Sequence, residues 1–244
     1  MSYRLEIIGF TMEACRAAQQ AGAHRIELCD NPGEGGTTPS QGFIKAAREI
    51  PGIELYPIIR PRGGDFLYSE EEFSIMLEDV KRCKELHCDG VVLGILQADG
   101  TVDKERCRQL TALAYPMGVT FHRAFDRVTD TRAALEDVIA CGFERILTSG
   151  GCPTVTEGKD NLARLVKQAD ERIIIMPGSG LRSDNILEIA KTTGAVEFHS
   201  SARTLARSKM QYTNPAMKEE LQSVTVDTTE IKKMLEALAD YFTP

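Results

Sequence analysis

The 244-residue chain reads as one α/β domain, a (β/α)8 barrel of the TIM type spanning residues 1–244. Three observations predict it. Short apolar runs alternate with amphipathic segments of helix length, the signature of parallel strands joined by crossover helices. The length suits a single barrel of this kind. The stretch from Ile173 to Arg203 reads strand, glycine turn, helix, strand and a second small-residue turn, as the last quarter of such a barrel would.

The elements follow in order. Arg4 to Ile8 is the first strand; Thr11 caps a helix from Met12 to Gln20. Arg25-Ile26-Glu27-Leu28-Cys29 is the second strand, and its polar–apolar alternation puts Arg25, Glu27 and Cys29 on one face. A long glycine-rich loop, Asp30 to Ser40, leads to a helix capped by Ser40 and ending near Ile50. Glu54 to Ile59 is the third strand, and Ser69-Glu70-Glu71-Glu72 opens a helix to about Leu86, with acids at its positive end. Gly90 to Gly94 and Gly118 to His122 are the fourth and fifth strands, separated by a helix from Asp103 to about Tyr115. Thr131 to Cys141 is helical, Arg145 to Thr148 is the sixth strand, and Glu157 to Gln168 is the next helix. Ile173 to Met176 is the seventh strand. Leu181 to Thr193 shows helical spacing, with Ser183 or Asp184 as its cap and Gly194 just past its end. Ala195 to Phe198 is the eighth strand. The polar segment 204–226 has weak periodicity and reads as a long loop or an arm against a neighbouring subunit; Asp227 caps a final helix over 228–241.

Composition narrows the function. Hydrophobic residues make up 42% and charged residues 27%, ordinary for a water-soluble domain. A net charge of -7 and a pI near 5.3 argue against a general nucleic-acid binder. No apolar run reaches membrane-spanning length and the first residues lack a signal-peptide core, so a cytoplasmic protein is expected. The 7 cysteines are odd in number and scattered without CxxC, which speaks against a disulfide framework or structural zinc; Cys15, Cys107 and Cys141 fall in helices as small buried hydrophobes.

In this fold, chemistry sits at the C-terminal ends of the strands. Those ends carry Glu27, Arg60, His122, Asp126 and Glu197, the candidate catalytic residues, with Glu27 or His122 as general acid/base and Arg60 as an anion clamp. A second set, Arg62, Gly178, Gly180, Ser200, Ser201 and Arg203, suits an anion: glycines let backbone N–H groups approach, and guanidinium groups grip carboxylate or phosphate. The same glycines would also serve simple tight turns, and a histidine on a strand would also serve as a hydrogen-bonded core residue. A small anionic or phosphorylated ligand is the class these residues point to.

Several stretches resemble the CutC family of copper homeostasis proteins: Arg25-Ile26-Glu27-Leu28-Cys29, Glu34 to Ser40, Arg60 to Tyr68, Phe121-His122-Arg123-Ala124-Phe125-Asp126, Arg145 to Gly150, and Glu197 to Arg203. The resemblance implies a cytoplasmic, homo-oligomeric barrel linked to copper tolerance and Cu(I) binding. It places a metal-binding thiol at Cys29. The family's second cysteine position falls at Ile8 or its neighbours, where this chain has none, leaving Cys152 and His199, or His122, as candidate partners.

Overall fold

The computed structural model describes residues 3–218 and 221–242; residues 1–2, 219–220 and 243–244, which fall within the expected domain, the leader reading and the 204–226 segment, lie outside the described residues. Eight parallel strands alternate with eight helices: β1 (Arg4–Gly9), α1 (Met12–Gln20), β2 (Arg25–Leu28), α2 (Gln41–Arg48), β3 (Glu54–Pro57), α3 (Glu70–Glu85), β4 (Gly90–Leu93), α4 (Lys104–Ala114), β5 (Gly118–Phe121), α5 (Thr131–Ala140), β6 (Arg145–Thr148), α6 (Val155–Ala169), β7 (Ile174–Pro177), α7 (Ile186–Thr193), β8 (Glu197–Ser200) and, after a hairpin, α8 (Thr228–Phe242). The ladders run β3-β2-β1-β8 and β4-β5-β6-β7. A parallel bridge between Ile58 and Val92 joins them on one side, and β7 lies beside β8 on the other, so the sheet closes into a TIM-type barrel, a single α/β domain. No helix among the described residues is long and apolar enough to cross a membrane.

Local chemistry sets the helix starts. The hydroxyls of Thr11 and Ser40 accept the backbone N–H of Ala14 (3.1 Å) and Phe43 (3.2 Å). Ser69 and Glu72 form a reciprocal capping box. Each such cap contributes about 1 kcal/mol. Two starts differ from the sequence reading. Thr154 caps α6, which therefore begins at Val155 rather than Glu157. Helix α7 begins at Ile186, because Ser183 does not cap it: its N–H and hydroxyl bond the Glu230 carboxylate of α8 at 2.7 and 2.8 Å, holding residues 181–185 in a turn. The final helix extends to Phe242, with Asp227 accepting from the N–H of Thr229 (2.9 Å) and Glu230 (3.2 Å). The 204–226 segment is an arm. β9 (Arg203–Arg207) pairs antiparallel with β10 (Gln222–Val226), and most of it is exposed.

Strand parity divides the core in two. Leu5, Ile7, Ile26, Leu28, Leu55 and Ile59 face the helices and join Cys15, Ile44, Met76 and others in one large apolar shell. Cys15, Cys107 and Cys141 are buried in it as expected. The other parity faces the barrel axis, and there the filling is ionic. Arg25 donates to Glu197 (2.8 Å), Glu54 (3.0 Å) and Glu6 (3.4 Å), and Arg145 donates to the same Glu197 carboxylate at 2.7 Å. The ring of Tyr56 lies beneath both guanidinium groups, at 4.7 and 5.6 Å. Gly90 and Gly118 make room for that ring: a Cβ at either would lie 2.1–2.3 Å from Tyr56 atoms. Glu197 thus serves as the shared counter-ion of two buried arginines, and its oxygens are engaged below the mouth. Replacing it, as in Glu197→Ala, takes from Arg145 its buried carboxylate partner and leaves Arg25 only Glu54 and Glu6; denaturant unfolding is expected to show a loss of about 3–5 kcal/mol, whereas a loss under 1 kcal/mol would mean the pair is dispensable.

Candidate active site at the C-terminal mouth

Above the ionic layer the barrel opens into a cavity of about 750 Å3. Register brings its floor together. Glu6 on β1 is level with Arg25 on one side and His199 on the other, and Ile8, one step higher, is level with Glu27. His199 Nδ1 bonds Glu6 Oε1 at 2.8 Å, and its Nε2 lies 3.7 Å from Glu27 Oε2. The chain Arg145–Glu197–Arg25–Glu6–His199–Glu27 therefore runs from the lower barrel to the cavity, whose lining includes the largely buried Glu27 and His199. Gly178, just past the end of β7, lets His199 sit there, since a Cβ on it would meet Leu147 Cδ1 at 2.4 Å and His199 Cβ at 3.1 Å.

The electrostatics follow from that stacking. Burial pushes Glu27 up to about 7, with His199 pulling down and Glu6 pushing up. Burial alone would lower His199, but the Glu6 hydrogen bond and the charges of Glu27 and Glu6 hold it above its ordinary value. Glu6 is held below the usual carboxylate range: burial opposes this, but the His199 bond and the Arg25 charge prevail. A carboxyl titrating near neutrality beside an imidazole oriented by a second carboxylate is the equipment of proton transfer.

Of the residues named from sequence, Glu27, Arg60, His122 and His199 line the cavity. Asp126 does not. Its carboxylate accepts from Thr148 Oγ1 (2.5 Å), the N–H groups of Ser149 and Gly151 and Arg123 Nε, tying the loops after β5 and β6 together. Arg62 is spent on Glu72, Asp65 and the carbonyls of Gly63 and Leu67. Gly178, Gly180, Ser200, Ser201 and Arg203 of the second anion set lie outside the lining of this cavity. Ser200 donates to Leu181 O and accepts from the Ala202 N–H, the Gly180 carbonyl accepts from Asn185, and Arg203 lies over Phe10. Ser201 is half-buried and outside the cavity lining.

Cys29 is fully buried with Ile8, Tyr56, Ile58 and Val92, and Gly36 covers it so closely that a Cβ there would be 3.0 Å from Sγ. Burial first, then Glu27 and Glu6, raise its thiol well above the ordinary range. Cys152 is half-buried on the loop after β6. Among the described residues, the one compact group of metal-type donors is Glu6, Glu27 and His199, mutually within 4.8 Å. Glu6 and Arg127 are site residues that sequence reasoning passed over. The alternation Arg4-Leu5-Glu6-Ile7-Ile8, the same signal that marked the second strand, points to Glu6.

Fold and site together define a TIM-type barrel with a buried Glu–His pair at its C-terminal mouth. The chain belongs to the CutC family, whose pattern matches residues 3–204. It is 55% identical over 208 residues to a Chromobacterium violaceum family protein CutC, covering 85% of this chain and 84% of that one. It is 45% identical over 216 residues to the human copper homeostasis protein cutC homolog, covering 86% and 79%. The solved CutC structure from Streptococcus agalactiae superposes with a TM-score of 0.78 at 36% identity, over 82% of this chain and 98% of that one.

The raised carboxyl has a stability consequence. Between the ordinary glutamate range and pH 7 the folded protein holds a proton on Glu27 that the unfolded chain has released, so stability falls as pH rises through that window. The Glu27→Gln variant lacks this loss. Urea unfolding at pH 8 is expected to find it about 1–2 kcal/mol more stable than wild type, with the difference vanishing toward pH 4.

Proposed function

We propose that this CutC-family protein is an enzyme that binds a small anionic molecule at the barrel mouth and moves a proton on it, with Glu27 and His199 as the acid–base pair. The observation that carries this is the Glu6–His199–Glu27 line at the floor of a cavity whose walls and rim bear Arg60, Arg123 and Arg127. Negative groups below and positive groups above suit a ligand with an anionic end outward and a protic centre inward. Arg127 is exposed and forms no ion pair with the described carboxylates, so it is available to an anionic tail. In a thermal-shift screen of carboxylated and phosphorylated metabolites, at least one compound is expected to stabilise the wild type and to lose tenfold or more of its affinity in Arg127→Ala. A screen without any stabilising compound overturns the reading.

A copper role is the second reading, favoured by the name of the human relative and by the compact donor set. Cu(I) prefers thiolate or thioether. The thiol that the resemblance singles out is alone, enclosed and held in its protonated form, while the donors at the cavity are two carboxylates and an imidazole, a harder set. An anaerobic Cu(I) competition titration of reduced protein is therefore expected to give weak binding that Cys29→Ala leaves unchanged. One-to-one binding that outcompetes a strong chelator and disappears in the variant would transfer the function to copper handling at Cys29.

The arm supports a homo-oligomer. Leu205, Met210, Tyr212, Met217 and Leu221 are all exposed on it, a concentration of apolar side chains that a second copy of the chain would cover. Replacing residues 208–221 by a short glycine turn is expected to reduce the mass measured by light scattering to that of the monomer.

A further inference from the structure

The wall of the cavity formed by β3 and β5 carries two buried N–H donors with no acceptor. His122 is 3% exposed and stands at the start of a single 3-10 turn, Arg123–Arg127. Its Nδ1 accepts the Ala124 N–H at 3.2 Å, which places the proton of the neutral ring on Nε2. That Nε2 has no partner, and the ring lines the cavity. Burial, then the Arg60 charge, bring His122 down to about 3, so it is an uncharged donor at neutral pH. Gly94 seats the ring: a Cβ there would lie 2.8 Å from His122 Nδ1. Arg60 is built the same way. Its Nη atoms are used on the carbonyls of Glu34 (2.6 Å), Gly36 (2.9 Å) and Gly64 (2.8 Å), while its Nε–H is buried without a partner. Phe66 links the two, with the His122 ring 4.8 Å away and the guanidinium 5.0 Å from its centroid. A buried donor without an acceptor is costly, and two on one cavity wall call for a ligand oxygen.

We infer that the substrate is a carbonyl compound with an acidic α-C–H, that His122 Nε2–H and Arg60 Nε–H receive its carbonyl oxygen, and that Glu27 removes the α proton. This rests on the acid–base reading above and names its substrate class. The C–H electron pair becomes the C=C bond of an enolate as the carbonyl π pair moves onto oxygen; the proton rests on the Glu27 carboxyl and returns to the same carbon as the oxygen's pair re-forms the carbonyl. No electrons leave the substrate and no co-reactant is consumed. A neutral imidazole is the appropriate donor, because it meets the developing oxyanion without adding a charge that must be buried in the free enzyme.

Two measurements test it on the full chain. The first is 15N NMR of the histidines, expected to show His122 as the neutral Nε2–H tautomer from pH 5 to 9; an imidazolium at pH 6 overturns the assignment. The second is proton NMR in D2O with dihydroxyacetone phosphate, ribulose 5-phosphate and pyruvate, after calorimetry has established which of them bind. The expected result is α-deuteration at least tenfold above buffer, abolished in Glu27→Gln and reduced about a hundredfold in kcat in His122→Phe with KM little changed. His122→Gln, which keeps an N–H donor, is expected to recover part of the rate and guards against a folding defect. Binding without deuteration, or deuteration indifferent to His122→Phe, overturns this inference and leaves the anionic-ligand reading standing; no binding by any of the three overturns the assigned substrate class, while Arg127-dependent binding in the broader screen decides the parent reading separately.

Discussion

The shared Glu197 carboxylate, held between Arg25 and Arg145, is the interaction on which the barrel interior depends. Charges inside a barrel are tolerable only when each has a partner, because desolvating an unpaired one costs several kcal/mol. Once two guanidinium groups occupy the lower barrel, the remaining polar positions are constrained in turn. Glu54 takes Arg25 Nε, Tyr56 lies under both cations, and Gly90 and Gly118 give up their side chains to the tyrosine ring. Glu6 then stands between Arg25 and His199 and transmits the order upward, fixing which imidazole nitrogen faces the cavity.

Charged residues at the mouth divide by what their polar atoms touch. Arg62 and Asp126 are engaged by loop carbonyls, amides and neighbouring charges outside the cavity lining, while Arg123 lines the cavity with its Nε on Asp126. Arg60 does both: its Nη atoms knit the loops after β2 and β3, and its Nε is left over. Glu27, His199 and His122 keep unused capacity toward the cavity. The result is a site with a floor of carboxylates and an imidazole and a wall of neutral and cationic donors. Cys29, one strand position above Glu27, lies apart from that division: it belongs to the apolar packing of the inner barrel, and nearby carboxylates further disfavour its thiolate.

The sequence by itself determined the barrel, because strand runs, caps and glycine stops are local signals: Thr11, Ser40 and Asp227 cap the helices they were expected to cap, and Ser69 and Asp103 stand at helix starts as expected. It also placed Glu27, Arg60, His122 and His199 at strand ends, since the fold puts those ends at one mouth. The exposed hairpin of β9 and β10 escaped it, because a two-stranded surface arm has no buried face to impose alternation. So did the α7 start, decided by Ser183 bonding Glu230 far along the chain. Which charged residues face a ligand and which hold the scaffold was decided only by tertiary structure. Asp126 and Glu197 look the same as Glu27 in sequence, yet their oxygens are claimed by amides and arginines brought from other strands. The identity of a polar group's partner depends on register and closure, and neither is written in local spacing.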